Sequence, residues 1–168
     1  MEMLNRKVKT YNIMLSRVFP VTHPKAGQET GFAPKVMAAI NNMPCYLKKL
    51  HTIRANYDLW KKRIDEVIAG EAELCLRQWT GKPYRSNTVV IKRLRWDDGV
   101  GIQRLKIDKC RGDKPTPVIE SWYMDGDWGC YNMIANNDGL SLDDWQAWFA
   151  GYDHSKPLAI IHFTNFRY

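Results

Sequence analysis

The fold is decided by one short run of the chain, Lys48-Lys49-Leu50-His51-Thr52-Ile53-Arg54. Thr52 and Ile53 are β-branched and stiff at χ1, so this run favours an extended backbone. Side chains alternate faces along a strand, so Thr52 and Arg54 share one face while Lys49 points to the other. Lys49 therefore joins them only if the chain turns, or a helix ends, just before Leu50.

Composition places the chain among globular proteins. It has 168 residues, of which 45% are hydrophobic and 26% are charged. These values predict one soluble domain that spans residues 1–168. Seven Trp and eight Tyr exceed what a core of this size needs. Because these side chains combine an apolar body with a polar tip, we expect some of them to line a cleft or a binding face.

The charge balance indicates a class of partner. Lys and Arg number 25 against 18 Asp and Glu, which gives a net charge of +7. A basic surface suits an anionic partner, such as RNA or a nucleotide. A net charge of this size is also common in small domains, where it only favours solubility. Charge alone leaves both interpretations open.

No two of the four cysteines have the Cys-x-x-Cys spacing, since they lie at positions 45, 75, 110 and 130. This spacing predicts no zinc site, and we expect no metal and no cofactor. Residues 1–10 are polar, and no apolar segment of signal-peptide or membrane-spanning length follows. The sequence predicts a reduced cytoplasmic protein with mostly buried thiols and no membrane partner, and it leaves the oligomeric state open.

The first half of the chain predicts two helices among strands. Residues 9–19 alternate as a strand does. A short helix is expected over 34–42, with proline in its first turn. A second helix is expected over 57–69, with Asp58 as its N-cap and Gly70 after its end.

The second half predicts mostly short strands. Thr88–Leu94 is β-rich, and Asp97-Asp98-Gly99 predicts a hairpin between that strand and 101–107. The other expected elements are a strand over 72–79, a loop over 111–117, a strand over 118–124, a turn over 125–127, a helical turn over 131–137, a helix capped by Ser141 and a closing strand over 157–166. This order predicts an α+β fold, a small mixed, mostly antiparallel pseudo-β-barrel with flanking helices.

Three features resemble the ASCH domains of the PUA-like superfamily. They are the run Lys49-x-x-Thr52-Ile53-Arg54, a following segment that ends in a strand, and a late helix that leads into a closing strand. The order of elements is similar from residue 9 to residue 166. The resemblance implies a PUA-like pseudo-barrel of a kind associated with RNA.

Some members of this family are small amidohydrolases that deacetylate N4-acetylcytidine. Their proposed catalytic set is a motif lysine, a motif threonine and a glutamate before the late helix. Carried over, this set falls on Lys49, on Thr52 and near Asp138. Asp138 keeps the carboxylate but is one methylene shorter than glutamate. The chain is also longer than those enzymes, with added sequence at 20–33 and 95–117.

Amide hydrolysis at a nucleobase needs a nucleophile or an activated water, a proton shuttle and donors for the oxyanion. Lys49 suits a base if burial lowers its pKa, Thr52 needs such a base nearby, and Asp138 would pass a proton to the leaving amine. Arg54 suits a phosphate or a base carbonyl through its planar fork. The four residues also have ordinary interpretations as a solvated cation, a strand residue, a turn residue and a surface ion-pair partner.

A second cluster alternates cations with aromatic rings over residues 77–85. This pattern suits single-stranded nucleic acid, because rings stack on bases and cations meet phosphates. The candidate contact residues are Arg77, Trp79, Lys82, Tyr84 and Arg85. The alternative is an ordinary hairpin with Trp79 in the core.

His51 has no Asp, Cys or His at a spacing typical of a triad or a metal site. We therefore expect it to contact the ligand or to be held by a hydrogen bond.

Three functions are compatible with these patterns. The first is binding of a nucleotide or single-stranded RNA in a basic cleft. The second is deacetylation of a modified nucleoside such as N4-acetylcytidine. The third is a protein-interaction module whose basic face is incidental. An enzyme needs the Lys49 amine, the Thr52 hydroxyl and a carboxylate in one pocket, whereas a binder needs only the basic, aromatic cleft.

Overall fold

A computed structural model describes residues 7–108, 116–119 and 128–168. The elements are β1 (Lys9–Met14), α1 (Phe32–Ile40), β2 (His51–Arg54), α2 (Tyr57–Ile68), β3 (Ala72–Trp79), β4 (Thr88–Leu94), β5 (Gly101–Asp108), β6 (Thr116–Ile119), α3 (Trp128–Asn137), α4 (Leu142–Phe149) and β7 (Leu158–His162). A short 3-10 helix, Trp96–Asp98, lies between β4 and β5. This mixture of helices and strands confirms the α+β class.

The described strands form two sheets. One has three strands in the order β1-β3-β4, and the other has four in the order β2-β7-β5-β6. β1 and β3 are parallel, while the other strand pairs are antiparallel. The mostly antiparallel arrangement is confirmed. No closed barrel is detected among the strands that the structure describes.

The predicted hairpin between β4 and β5 is wrong. β4 pairs with β3, and β5 pairs with β6 and β7 in the other sheet. Asp98 instead stabilises the 3-10 helix, because its Oδ2 accepts a hydrogen bond from the Arg95 backbone N–H at 2.7 Å. Gly99 then ends that helix at φ 83°, a conformation that glycine adopts readily. The Asp-Gly signal thus marks a crossing from one sheet to the other.

The helix α2 lies where the sequence predicts it, with a different N-cap. The Asn56 side chain accepts a hydrogen bond from the Leu59 backbone N–H at 3.2 Å. Asp58 is already inside the first turn. Asn56 has φ 63°, a left-handed conformation that asparagine tolerates better than most residues. Trp60 and Ile64 turn inward and are buried.

Other boundaries differ from those predicted. β1 ends at Met14 and α1 begins at Phe32, earlier than residue 34. Thr116 and Pro117 belong to β6, although they are part of the predicted loop over 111–117. The rest of that loop, residues 120–124 of the predicted strand and the turn over 125–127 lie outside the described residues.

The prediction of buried thiols is wrong for Cys45, which is exposed, while Cys75 is buried. The side chains of Cys110 and Cys130 lie outside the part of the chain that the structure describes. No helix in that part is both long enough and apolar enough to cross a membrane.

One hydrophobic cluster joins the two sheets to the helices. Its members include Ile13, Phe32, Val36, Ile53, Ile64, Leu74, Leu94, Leu105, Ile134, Trp145 and Ile160. The chain before β2 is tied to the segment between α3 and α4 by an isolated antiparallel bridge between Lys49 and Asp138. Because both ends of this bridge sit on the cluster, Lys49 and Asp138 are held in fixed positions.

Candidate active site and adjoining cleft

The bridge between Lys49 and Asp138 explains how Lys49 reaches the same side as Thr52. The Leu50 N–H donates to the Asn137 carbonyl at 2.7 Å, and the regular strand begins only after Leu50. Lys49 therefore lies outside the strand alternation that would direct it away from Thr52. The turn or helix end that the sequence requires directly before Leu50 is absent from this described segment, and pairing of Lys49 with Asp138 takes its place.

Lys49 and Asp138 form a buried ion pair. Lys49 Nζ donates to Asp138 Oδ1 at 2.6 Å and to the Asp138 carbonyl at 2.8 Å. The same ammonium lies 4.0 Å from the ring centroid of Phe32, a cation–π contact. The two residues are only 2% and 3% exposed. Neither is the solvated cation or the surface turn residue of the ordinary interpretation.

Burial moves the pKa values of this pair toward each other. It lowers the pKa of Lys49, and the Asp138 carboxylate opposes this shift. It raises the pKa of Asp138, and Lys49 and Arg54 oppose that shift. Moving a proton from the ammonium to the carboxylate therefore costs less free energy than it would between an ordinary lysine and aspartate.

The pair opens into a small cavity, here called the Lys49 pocket. Its polar lining includes Lys49, Thr52, Arg54 and Asp138, and aromatic side chains such as Phe32 form much of the rest. The cavity volume is about 30 Å³. One water molecule needs roughly 10–15 Å³ of such space, so the pocket admits water or a small acyl group and is too small for a nucleobase. The amine, the hydroxyl and the carboxylate of the sequence prediction thus meet in one pocket.

Thr52 brings to this pocket a hydroxyl group that has no hydrogen-bond partner among the described residues. It is 5% exposed and lies on the edge strand β2. Among the described residues, no hydrogen bond ties its hydroxyl to Lys49 or Asp138. The hydroxyl is therefore available to a molecule in the pocket.

Arg54 connects the Lys49 pocket to a larger cavity. Its Nη2 donates to the Met14 carbonyl, which fixes the guanidinium against β1. Its Nε is buried and has no hydrogen-bond partner among the described residues. Burial lowers the pKa of Arg54, yet a guanidinium stays charged in proteins. Arg54 is thus an inward-facing cation, not the surface ion-pair partner of the ordinary interpretation.

The larger cavity, here called the Trp79 cleft, has a volume of about 640 Å³. The lining comprises Met14, Leu15, Ser16, Arg17, Val18, Phe19, Pro20, Val21, Arg54, Trp79, Gly81, Lys82, Pro83 and Tyr84. Three of these described residues are cations and none is acidic. The rings of Trp79 and Tyr84 have centroids 5.3 Å apart and an interplanar angle of 51°. Tyr84 is 89% exposed. Its φ of 62° is a left-handed backbone conformation that costs free energy in a residue other than glycine, and in this conformation its ring lies beside Trp79.

Three of the predicted contact residues lie elsewhere. Arg77 does not line the cleft, because its Nε and Nη2 donate to Thr88 Oγ1 at 3.0 and 2.8 Å. Arg85 is exposed in the turn after Tyr84 and lines neither cavity. His51 is fully buried and also lines neither cavity, since strand alternation places it on the face opposite Thr52.

Two parts of the site were not predicted from the sequence. Phe32 covers the Lys49 ammonium, and the segment from Arg17 to Val21 forms one wall of the Trp79 cleft. These contacts join parts of the chain that are distant in sequence, so no local pattern points to them. The excess of aromatic residues was the one available signal.

Comparison with protein-family models, with curated proteins and with solved structures gave no match for this chain. Within the described residues, no cluster of three or more His, Cys, Asp and Glu side chains is arranged to hold a metal ion.

Proposed function

We propose that the protein is an amidohydrolase that removes an acyl group from the exocyclic amine of a nucleobase, as in N4-acetylcytidine. The observation that carries this proposal is the convergence of Lys49, Thr52 and Asp138 on one pocket, with Lys49 Nζ 2.6 Å from Asp138 Oδ1. The resemblance of Lys49-x-x-Thr52-Ile53-Arg54 to the ASCH motif supports the same chemistry. A PUA-like relationship of the fold is part of this proposal.

The proposed reaction is hydrolysis of an amide by water. A new bond forms between the water oxygen and the acyl carbon, and the bond from that carbon to the exocyclic nitrogen breaks. The Lys49–Asp138 pair accepts the proton of the attacking water and returns a proton to the leaving amine. The products are the free amine and acetate, and no oxidant or reductant is needed.

Arg54 and Thr52 supply hydrogen bonds in this proposal. The unpartnered Nε of Arg54 donates to the acyl oxygen, where negative charge develops. The Thr52 hydroxyl holds the water or the substrate amide. It is not assigned as the nucleophile, because no base is hydrogen-bonded to it among the described residues.

In this proposal, different parts of the substrate occupy the two cavities. The Lys49 pocket fits the acyl group, and the Trp79 cleft fits the base and the sugar, since about 640 Å³ is ample for a nucleoside. Arg54 lines both cavities and marks the junction at which the amide would lie.

The decisive experiment measures conversion of N4-acetylcytidine to cytidine by chromatography. Lys49→Met and Thr52→Val are compared with the wild type, because each keeps most of the side-chain volume. We expect Lys49→Met to lower kcat by about 10²-fold or more, the size of a lost acid–base group. Thr52→Ser should keep more activity than Thr52→Val, because it keeps the hydroxyl.

Lys48→Ala is the matched control, since Lys48 adjoins Lys49 in sequence but lines neither cavity. A folded wild type that releases no cytidine from the free nucleoside or from an acetylated oligonucleotide would rule out this substrate. Equal losses in Lys48→Ala and Lys49→Met would rule out the assigned site.

A second candidate function is binding of single-stranded RNA without hydrolysis. It is favoured by the pairing of Trp79 with Tyr84 in a cleft whose described lining carries three cations and no acidic side chain. Titration of a short oligouridylate, followed by tryptophan fluorescence, should show quenching and an affinity that falls steeply with salt. Absence of binding at low salt would exclude this candidate.

A further inference from the structure

A chain of hydrogen-bonding groups lies behind the Lys49–Asp138 pair. Asn137 Nδ2 donates to the Tyr168 hydroxyl at 3.1 Å, and this hydroxyl lies 2.7 Å from His51 Nε2. On the other side of the imidazole, His51 Nδ1 faces Asp138 Oδ1 at 3.9 Å. His51 is completely buried. His51, which was expected to contact the ligand or to be held by a hydrogen bond, therefore lies behind the Asp138 carboxylate.

Two hydrogen bonds to the Gln103 side chain hold the backbone of Tyr168 in place. Its backbone N–H donates to Gln103 Oε1 at 3.0 Å, and Gln103 Nε2 donates to its carbonyl at 3.2 Å. Gln103 Oε1 is also 2.9 Å from His162 Nε2. A group anchored in this way can hold the His51 ring in one orientation.

The network determines which nitrogen of His51 carries the proton. The Tyr168 hydroxyl has one proton to donate, and it already accepts a hydrogen bond from Asn137. Among the described residues, His51 Nε2 is the remaining hydrogen-bond partner of this hydroxyl, so we assign the hydroxyl as the donor and Nε2 as the acceptor. The neutral imidazole then has its proton on Nδ1. The opposite assignment would direct the lone pair of Nδ1 at the Asp138 carboxylate, which is electrostatically unfavourable.

The His51 imidazole remains neutral near pH 7. Burial, the neighbouring His162 and the Lys49 ammonium hold the pKa of His51 well below its ordinary value. Its Nδ1 has no hydrogen-bond partner among the described residues. The Nδ1–H is thus a donor without a partner, and it faces the Asp138 carboxylate.

We propose that His51, held as the Nδ1–H tautomer by Tyr168, is a positioning residue for Asp138. This inference rests on the proposed amidohydrolase function. At 3.9 Å the N–H acts as an oriented dipole and not as a direct hydrogen bond. It favours the ionised carboxylate and keeps Oδ1 turned toward Lys49. Because Nδ1 already carries a proton and Nε2 is directed at Tyr168, His51 accepts no proton on the side that faces Asp138, and proton transfer stays between Lys49 and Asp138.

The tautomer is tested directly by nitrogen-15 NMR of the wild-type protein at neutral pH. Long-range proton–nitrogen correlations distinguish a protonated Nδ1 from a protonated Nε2. The signals of His51 are identified by their loss in His51→Asn. We expect Nδ1–H in the wild type and a shift toward Nε2–H in Tyr168→Phe, which lacks the donating hydroxyl. An Nε2–H tautomer in the wild type would overturn the inference.

The positioning role is tested by comparing His51→Asn with His51→Gln. The asparagine amide can place an N–H where Nδ1 stands, whereas the glutamine amide extends toward the position of Nε2. We expect kcat for N4-acetylcytidine to stay within about fivefold in His51→Asn and to fall at least tenfold in His51→Gln. KM should change little in both, because His51 lines neither cavity.

Equal kcat in the two folded variants, or a change confined to KM, would overturn the positioning role. Circular dichroism checks that both variants are folded. If the wild type hydrolyses no acylated nucleoside, the proposed function fails by itself. The NMR measurement needs no turnover, so it still decides whether His51 presents Nδ1–H to Asp138.

Discussion

Lys49 Nζ lies 2.6 Å from Asp138 Oδ1, although 89 positions separate the two residues in the sequence. Removing two charges from water costs several kcal/mol per ion, and their attraction repays this only in part. A pair of this kind is weak evidence for stability. The pair lines a cavity that also contains Thr52 and Arg54, which is the arrangement that the proposed hydrolysis requires.

The first prediction separates the stability of the pair from its function. Lys49→Met should lower the free energy of unfolding by about 3–5 kcal/mol, because it leaves the Asp138 carboxylate buried without a counter-charge. The double variant Lys49→Met/Asp138→Leu should recover most of this loss, since it leaves no buried charge at the bridge. In both variants kcat should fall by about 10²-fold or more. Urea denaturation at pH 7 gives the two free energies.

Lys48→Met serves as the control for this experiment. Lys48 is only partly buried and contacts Asn42 at the surface, so the substitution should change stability by less than about 0.5 kcal/mol. A double variant as unstable as Lys49→Met would mean that lost packing, and not the uncompensated charge, causes the effect.

The second prediction concerns the pH profile of turnover. Hydrolysis needs the Asp138 carboxylate ionised and the Lys49 ammonium protonated. Burial raises the pKa of Asp138 above 3.8 and lowers that of Lys49 below 10.5. The bell-shaped profile of kcat/KM should therefore have its acid limb above the first value and its alkaline limb below the second. Limbs at or outside these two values would contradict the assignment.

The third prediction concerns the pH dependence of stability. Burial lowers the pKa of His162 to about 3 and that of His51 well below 6.5. Both folded-state values are depressed, so the stability that the neutral rings contribute is fully present above pH 6.5. It is lost as the pH falls, because the unfolded chain then binds more protons. Once the ring of the unfolded chain is protonated, each histidine should lower the free energy of unfolding by about 1.4 kcal/mol for every unit by which the pH falls.

Urea denaturation between pH 7.5 and pH 5 measures this slope above the range in which most carboxylates titrate. His162→Gln should remove the contribution of one histidine, while its amide can still reach Gln103. The raised pKa of Asp138 acts in the opposite direction, because the folded protein takes up that proton first. A stability that is constant down to pH 5 in the wild type would refute the buried, neutral state of both rings.

Local patterns in the sequence predicted much of this fold. The helix α2 and the strand β4 follow from hydrophobic period and β-propensity, which act over a few residues. The pairing of β4 did not follow, because Asp97-Asp98-Gly99 has the composition of a hairpin turn and yet forms the end and the C-cap of a 3-10 helix. Which strand pairs with which depends on the packing of the core, to which a turn tripeptide contributes little.

The site was predictable where the motif is short and contiguous. Thr52 and Arg54 alternate correctly within β2, and Asp138 was found through the family resemblance. Phe32 was not found, because its contact with the Lys49 ammonium depends on how α1 packs. The hydrogen bond that holds His51 was one of its two expected interactions, but its partner Tyr168 was not predicted, because it is 117 positions away.

The fourth prediction tests how closely Gly139 supports the pair. A Cβ on Gly139 would lie 3.2 Å from Lys49 Cβ and 3.3 Å from Lys35 Cδ, and the residue has φ +78°. Gly27 has a nearly identical φ of +79°, and apart from its chain neighbours no described residue has an atom within 4 Å of such a Cβ. Gly27→Ala therefore measures the strain of the left-handed backbone alone, about 1–2 kcal/mol. Gly139→Ala should cost more and should also lower kcat, because it displaces Lys49.

The measurements are thermal or urea denaturation and turnover of N4-acetylcytidine by both alanine variants. Gly27→Ala should keep wild-type kcat, because Gly27 lies in neither cavity lining. If Gly139→Ala were no more costly than Gly27→Ala and fully active, the close contact with Lys49 would have no consequence.

The fifth prediction concerns the aromatic pair of the Trp79 cleft. Tyr84 is 89% exposed, so its ring gains little from the core and is available to stack on a base. Tyr84→Ala should weaken binding of a short oligouridylate by about 1–3 kcal/mol, the contribution of one stacked base. Tyr46→Ala is the matched control, because Tyr46 is 97% exposed and lies outside the cleft. Fluorescence anisotropy of a labelled oligonucleotide measures both affinities.

Lys82→Ala should weaken binding and reduce its salt dependence by about one phosphate contact, since Lys82 carries charge without a ring. Equal affinities of Tyr84→Ala and Tyr46→Ala would show that the ring beside Trp79 does not contact the strand, and the cleft would then hold only the single base that the hydrolysis requires.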